Sequence, residues 1–150
     1  MTRRRDGFTI IELVITVAVA LVLLSVAVSA SAPAFDRMSV SSARTSFAAL
    51  HARARARAVE RGRNVHLSVD PATDSAWVSD GAELIEAVAF GTASGIDVQM
   101  PAAMKLCLGP RGYADTGCNS FSSAIKVGFA RGGASSSLEV RPLGQLVMED

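Results

Sequence analysis

The feature that most constrains this chain is a single carboxylate inside a long apolar segment near the amino terminus. The segment extends from Phe8 to Ala32, and Glu12 is its one charged residue. As a helix it would be about 37 Å long, which is enough to cross a bilayer core of about 30 Å. A carboxylate in that core costs roughly 2.5–3.5 kcal/mol on insertion scales. We therefore expect a membrane-spanning segment, residues 8–32, in which Glu12 has a function.

The flanking residues set the expected orientation. Arg3, Arg4 and Arg5 precede the segment, and a cluster of positive charge stays on the cytoplasmic side of a membrane. The rest of the chain, from about Pro33, then lies outside the cytoplasm. A plain single-span anchor and a secretory signal peptide cut after Ala32 are the alternatives. The length of the apolar run and the proline that would follow the cut weigh against the signal peptide.

The octet at residues 7–14 reads GFTIIELV and resembles the processing site of type IV pilins and type II secretion pseudopilins. The shared features are the small residue before the cut, the phenylalanine after it and the glutamate that follows within the apolar run. The resemblance implies a leader peptide at residues 1–7, cut by a prepilin peptidase between Gly7 and Phe8, and N-methylation of Phe8. It also implies that Glu12 meets the terminal amine of Phe8 on a neighbouring subunit. Such a pair would offset the cost of burying either charge and fix the axial register of packed helices.

A second helical pattern follows the apolar segment. Pro33 interrupts the first pattern and predicts a kink. Beyond it, apolar residues at steps of three and four predict an amphipathic helix, whose buried face comprises Val40, Ala43, Phe47, Leu50, Ala54 and Ala58. Gly62 fits the position that follows a helix end. We predict one helix from Phe8 to about Arg61, with its second half, up to about residue 62, in the globular domain.

Residues 64–150 show the alternation that is typical of short strands. Clusters of glycine, proline and serine separate the predicted strands, which cover residues 64–69, 76–79, 83–90, 96–100, 104–108, 124–130, 138–141 and 143–148. No second helix is predicted, and residues 131–137, rich in glycine and serine, are expected to form a flexible loop. The expected fold class is α+β, with the helix packed on an antiparallel sheet or two in one domain, residues 33–150.

The helix end and the strands extend the resemblance. Ala56 and the run from Val59 to Val65, the Asp80-Gly81 turn after Trp77, and the hairpin of residues 138–147 are similar to the GspH/FimT group of minor pseudopilins. The resemblance implies a pilin fold and a minor structural subunit near the tip of a type II secretion pseudopilus. A FimT/FimU-like minor type IV pilin, acting in pilus biogenesis or DNA uptake, is the alternative.

Both assignments imply the same partners and the same location. The partners are other pilin or pseudopilin subunits, the prepilin peptidase, the inner-membrane assembly platform and inner-membrane lipid. The protein would be a single-pass protein of the bacterial inner membrane, with its globular domain in the periplasm, until it is incorporated into a filament.

Cys107 and Cys118 are the only cysteines. An even pair in an exported domain suggests a disulfide, and the residues between them are rich in turn formers. A metal site is the competing interpretation, but two cysteines without a histidine near them in the sequence are poor zinc ligands. We expect neither a metal nor a cofactor.

Arginines are concentrated in the second half of the predicted helix, where Glu60 is the one carboxylate between residues 37 and 63. Arg53, Arg57 and Arg61 are spaced by four and form one stripe on the helix. The stripe has three interpretations. It is a docking surface for an acidic neighbouring subunit, a nucleic-acid contact, or a set of ion pairs with the acidic strands of its own domain.

Binding of DNA finds little support elsewhere in the chain. Some pilins of the FimT group bind DNA during uptake, and their carboxy-terminal arginines matter for it, but the corresponding turn at Gly144 has no arginine after it. Lys126, Arg131 and Arg141 remain as scattered candidates. The acidic carboxy-terminal tail would repel phosphate, so DNA is a partner that we do not favour.

The sequence offers little for catalysis. His51 and His66 stand alone and are interpreted as surface or strand residues rather than bases, and no hydrolase, metalloprotease or phosphate-loop motif is present. We expect a structural protein and not an enzyme. A membrane-anchored periplasmic enzyme is the remote alternative.

Overall fold

The computed structural model describes residues 9–148, with the backbone alone for residues 26–30. Its longest element is helix α1, Ile10–Arg61, which has 52 residues and contains Pro33. The predicted helix end near Arg61 is confirmed. The chain divides into two compact units, Met1–Phe35 and Asp36–Asp150. The predicted leader, residues 1–7, and Phe8 lie outside the described residues.

In the first unit, the described part is the beginning of α1. Thr9 caps this helix, because its Oγ1 accepts a hydrogen bond from the backbone N of Glu12 at 3.3 Å. A threonine in this place satisfies one of the amides that a helix start leaves without a partner. Every side chain from residue 9 to residue 25 is exposed. Within the described residues, no helix meets the length and hydropathy that a membrane span requires.

The second unit packs the end of α1 against two antiparallel sheets of four strands each. The strands in chain order are β1 Val65–Asp70, β2 Ser75–Asp80, β3 Glu83–Ala89, β4 Asp97–Gln99, β5 Met104–Leu108, β6 Ile125–Arg131, β7 Ala134–Val140 and β8 Leu146–Met148. The first sheet has the order β3-β2-β1-β5 and the second the order β4-β6-β7-β8. The α+β class and the antiparallel sheets are as predicted.

The buried face of α1 is the one that the sequence predicts. Its residues are at most 5% exposed and comprise Val40, Ala43, Phe47, Leu50, Ala54 and Ala58. They share one apolar core with Leu67 of the first sheet and Phe129 of the second. The ring centroids of Phe47 and Phe129 lie 5.9 Å apart. The core therefore joins α1 to both sheets.

The prediction of no second helix is wrong. Residues Phe90–Ser94 form a short helix, α2, which ends at Gly95 with a φ of 62°. Phe90 is buried in this turn, 2% exposed, and its ring packs against Phe129 with 5.2 Å between centroids. One helical turn carries the chain from the edge strand β3 to the edge strand β4. It is too short to leave a helical period in the sequence.

The prediction of a flexible loop over residues 131–137 is also wrong. Residues 134–137 begin β7 and pair with β6, with Ser137 opposite Gly128 and Ala134 opposite Arg131. Gly132 and Gly133 make the two-residue turn, with φ of 54° and 87°. Positive φ at both central residues is what the preferred hairpin turn requires. The run of serines extends as a strand because its backbone is paired.

Candidate functional site

The predicted assembly residue, Glu12, lies in the first turn of α1. A carboxylate in this place interacts favourably with the partial positive charge of the helix amino terminus. Its side chain is exposed, so it is accessible to a group of another molecule. The residues predicted for processing, Gly7 and Phe8, lie outside the described residues.

Large apolar side chains surround Glu12 along the front segment of α1, which we define as residues 10–24. Each is more than half exposed, from 51% at Val17 to 85% at Ile10, and the set comprises Ile10, Ile11, Leu13, Val14, Ile15, Val17, Val19, Leu21, Val22, Leu23 and Leu24. They occupy successive positions and therefore cover all sides of the helix. A helix that is apolar all round is typical of a membrane span or of the interior of a helix bundle. The front segment is thus an exposed surface that is apolar on all sides.

The arginine stripe, Arg53, Arg57 and Arg61, faces carboxylates of its own domain. Arg53 makes two hydrogen bonds to Glu86 of β3, at 2.8 and 2.7 Å. Arg57 pairs with Glu60, one turn further along α1, at 3.0 Å. This geometry agrees with the third interpretation of the stripe, in which the helix is joined to the acidic strands.

Asp80 lies at the centre of a cluster of ion pairs that joins α1 to the first sheet. Its side chain is 4% exposed. The carboxylate accepts a hydrogen bond from Arg61 at 2.6 Å and lies 2.6 Å from a guanidinium nitrogen of Arg63. The hydrogen bond from Arg61 holds the pKa of Asp80 below its usual range, although burial opposes the shift. Arg61 also pairs with Glu83 at 3.0 Å. The sequence predicts Asp80 only as a turn residue. Its alternation with the buried Ala76 and Val78 is the signal that places it on the inner face of β2.

The scattered cations are also engaged. The Nε of Arg131 lies 3.1 Å from a carboxylate oxygen of Asp36, and Arg141 pairs with Glu139 at 2.9 Å. Lys126 lines an open groove of about 830 Å³ on the second sheet, beside Gln99 and Ser137. Of the six cations proposed for docking, the five arginines are therefore paired with carboxylates of this chain.

Cys107 of β5 and Cys118 of the following loop are joined by a disulfide in the structure, with 5.8 Å between their Cα atoms. Hydrogen bonds reinforce this closure. The N of Cys107 donates to Oδ1 of Asn119 at 2.9 Å, and the N of Asp115 donates to the carbonyl of Cys107 at 2.8 Å. The loop is thus held to β5 at several points.

His66 lies beside this disulfide, a position that the sequence does not predict. It is the direct cross-strand partner of Cys107 in the β1–β5 pair, and its Nδ1 is 3.2 Å from the Cys107 Sγ. Partial burial, and then the nearby charge of Lys105, lower the pKa of His66 and favour the neutral imidazole. No histidine is near the cysteines in the sequence, but His66 lies next to both of them in the fold.

His51 is buried in the core side of α1, 6% exposed, and the prediction of a surface or strand position is wrong for it. Its Nε2 has no hydrogen-bond partner among the residues that the structure describes. Burial, and then the charge of Arg55, lower its pKa to about 4. His51 is therefore a neutral core residue at neutral pH, and it does not reach solvent as a base would.

Comparisons with known proteins gave one match to the amino-terminal sequence and one match to the fold. Residues 2–28 match the family model of the prokaryotic N-terminal methylation motif. A search of curated proteins found no significant match. Among solved structures, the crystal structure of the type IV minor pilin FimU from Pseudomonas aeruginosa is similar, with a TM-score of 0.55 and 14% identity, over 76% of this chain and 90% of that chain.

The two findings are complementary. The motif covers residues 2–7 of the predicted leader, the predicted cleavage site and Glu12. The structural likeness gives the fold, a long amino-terminal helix followed by antiparallel sheets. The chain therefore carries the N-terminal methylation motif and has a pilin-like fold, as the resemblance of the octet predicts.

Proposed function

We propose that this chain is a minor structural subunit of a pilus-type filament, and that it waits in the inner membrane before it assembles. The observation that carries this proposal is the front segment of α1, whose large apolar side chains are each more than half exposed. An apolar surface of this extent needs a cover in a cell. Lipid is the cover before assembly, and the helices of other subunits are the cover afterwards.

Glu12 gives the assembly step its register. After cleavage between Gly7 and Phe8, the methylated amine of Phe8 is a cation at the tip of the apolar helix. Paired with Glu12 of a neighbouring subunit, it neutralises a carboxylate that would be costly to bury alone. Prepilin peptidase and the inner-membrane assembly platform are the partners that this route requires.

The proposed topology follows from the charges at the amino terminus. Arg3, Arg4 and Arg5 keep the leader, residues 1–7, in the cytoplasm. Residues 8–32 then form the membrane and assembly segment, and residues 33–150 form the periplasmic domain. The disulfide between Cys107 and Cys118 suits an oxidising compartment.

Two filament systems are compatible with this role. The GspH-like residues of the helix end favour a type II secretion pseudopilus. The fold of the FimU structure, which is titled a type IV minor pilin, favours a type IV pilus. A deletion separates them, because loss of exoprotein export supports the pseudopilus, whereas loss of twitching or transformation supports the pilus.

A structural role accounts for the cations and histidines better than DNA binding or catalysis does. The five candidate arginines are engaged within the domain, and phosphate contacts would have to break these pairs. His51 is buried in the core, 6% exposed. We therefore propose partners that are proteins and lipid.

The test of this proposal is mass spectrometry of the amino terminus of the protein from its host. The expected mature chain begins at N-methylated Phe8. A chain that begins at Met1, or at Pro33 after signal-peptide cleavage, would overturn the assignment. The Gly7→Glu variant provides the control, because a bulky charge before the cut should leave the leader attached.

A further inference from the structure

Three side chains that carry metal-binding atoms meet at one end of the first sheet. They are His66 of β1, Cys107 of β5 and Cys118 of the loop, and their ligand atoms all lie within 4.8 Å of one another. We propose that, before the disulfide forms, this cluster binds one Zn²⁺ ion through the Nδ1 of His66 and the thiolates of Cys107 and Cys118. This inference goes beyond the filament role, which does not require it.

The distances suit a zinc ion. Bonds of about 2.3 Å to sulfur and about 2.0 Å to nitrogen in a tetrahedron place nitrogen and sulfur roughly 3.5 Å apart. In the structure, the Nδ1 of His66 is 3.2 Å from the Sγ of Cys107 and 4.0 Å from the Sγ of Cys118. The two sulfur atoms have to separate to about 3.8 Å, which rotation of the cysteine side chains provides. His66 and Cys118 are partly exposed, so water can supply the fourth ligand.

The backbone holds the three residues in place without help from the disulfide. His66 and Cys107 are directly opposite each other in the β1–β5 ladder. Cys118 is held by its own N, which donates to the carbonyl of Asp115 at 3.1 Å. The side chain of Asn119 adds two further links, from the N of Cys107 at 2.9 Å and to the carbonyl of Pro142 at 2.8 Å. The arrangement therefore persists when the cysteines are thiols.

The donor set selects the metal. Two thiolates and one imidazole suit Zn²⁺ and Cu⁺, whereas Mg²⁺ and Ca²⁺ prefer oxygen ligands. Binding of Zn²⁺ displaces the two thiol protons to solvent and transfers no electron. Oxidation to the disulfide removes both sulfur ligands. The metal and the disulfide are thus alternative closures of the same loop, the metal acting before the bond forms.

The experiment uses the full chain in detergent micelles, reduced and then freed of reductant without air. Zn²⁺ is titrated against a chromophoric chelator, with the oxidised chain measured in parallel. We expect one Zn²⁺ per reduced chain and none per oxidised chain. His66→Ala should weaken binding about tenfold or more, since it removes a direct ligand. Ser68→Ala, on the same face of β1 two residues after His66, removes no ligand and no charge; it is the matched control and should bind as the wild type does.

Circular dichroism of the reduced chain completes the test. Retention of the β-sheet signal together with the binding pattern above supports the site. The proposal is overturned by a reduced chain that binds no Zn²⁺, by His66→Ala binding as tightly as the wild type, or by loss of the sheet on reduction. None of these results affects the filament role, which is decided by the mature amino terminus.

Discussion

The two ends of α1 have the same secondary structure and opposite surroundings. The front segment, residues 10–24, exposes its large apolar side chains. The rear part, residues 40–61, buries one face, from Val40 to Ala58, against two sheets. The sequences differ accordingly, since the front is apolar on all sides and the rear on one. A single domain can cover one face of a helix, but an all-round apolar surface needs lipid or several neighbouring helices. The comparison assigns the stability of the domain to the rear part of α1, and the front segment is the part for which we propose a role in assembly.

The largest expected effect is the difference in stability lost when an apolar side chain is removed from each end of α1. Phe47→Ala, at a position that is fully buried, should destabilise the domain by about 3–5 kcal/mol. Leu21→Ala, at a position 61% exposed, should change stability by no more than about 0.5 kcal/mol. Denaturation of the full chain in micelles, followed by the fluorescence of the single Trp77, measures both. Equal losses of stability in the two variants would contradict the claim that the rear part of α1, and not the front segment, stabilises the domain.

The sequence predicts these two ends because both patterns are local. The steps of three and four from Val40 to Ala58 and the continuous apolar run at the front are each visible without knowledge of the fold. The strand positions were also predictable, since alternation and turn residues bound them. Helix α2 and the serine-rich start of β7 were not, because burial of Phe90 and pairing with β6 decide them.

The sequence could not predict the side-chain clusters, because they depend on which strands and helices lie next to one another in the fold. His66 meets Cys107 only because β1 and β5 are neighbours in the sheet order, and no local pattern specifies that order. Asp80 meets Arg61 for a similar reason, through the packing of α1 on β2. Glu12 is the converse case, because the octet around it predicts an assembly site whose proposed partner belongs to another molecule.

A smaller effect tests the rear half by pH. The pKa of His51 is lowered from 6.5 to about 4, so the unfolded chain binds its proton more readily than the folded chain. The corresponding stability is complete above pH 6.5, and about 3 kcal/mol of it is lost as the pH falls from 6.5 to 4. His51→Leu should abolish this part of the pH dependence. Identical slopes for the variant and the wild type between pH 4 and 7 would show that His51 is not the group responsible.

The smallest effect concerns the ion pairs that join the rear half to the first sheet. Asp80→Asn removes the charge that pairs with Arg61 and Arg63, at a side chain that is 4% exposed. It should lower the thermal midpoint more than Glu86→Gln, whose pair with Arg53 is half exposed and worth at most about 1 kcal/mol. Because the pKa of Asp80 is lowered, its contribution should persist on mild acidification and be lost only as the pH falls through that lowered value. A larger shift for Glu86→Gln would reverse this ranking.

The most direct test of the account compares one carboxylate from each end of α1. Glu12→Ala removes the acid of the front segment, and Glu60→Ala removes an exposed acid of the rear, which is paired with Arg57. Both proteins should be processed normally, as judged by the mass of the mature chain. In filaments sheared from cells, Glu12→Ala should fall about tenfold or more below the wild type, since the amine of Phe8 would lose the partner that we propose for it. Glu60→Ala should match the wild type. Wild-type incorporation of Glu12→Ala would contradict the central claim that this carboxylate directs assembly.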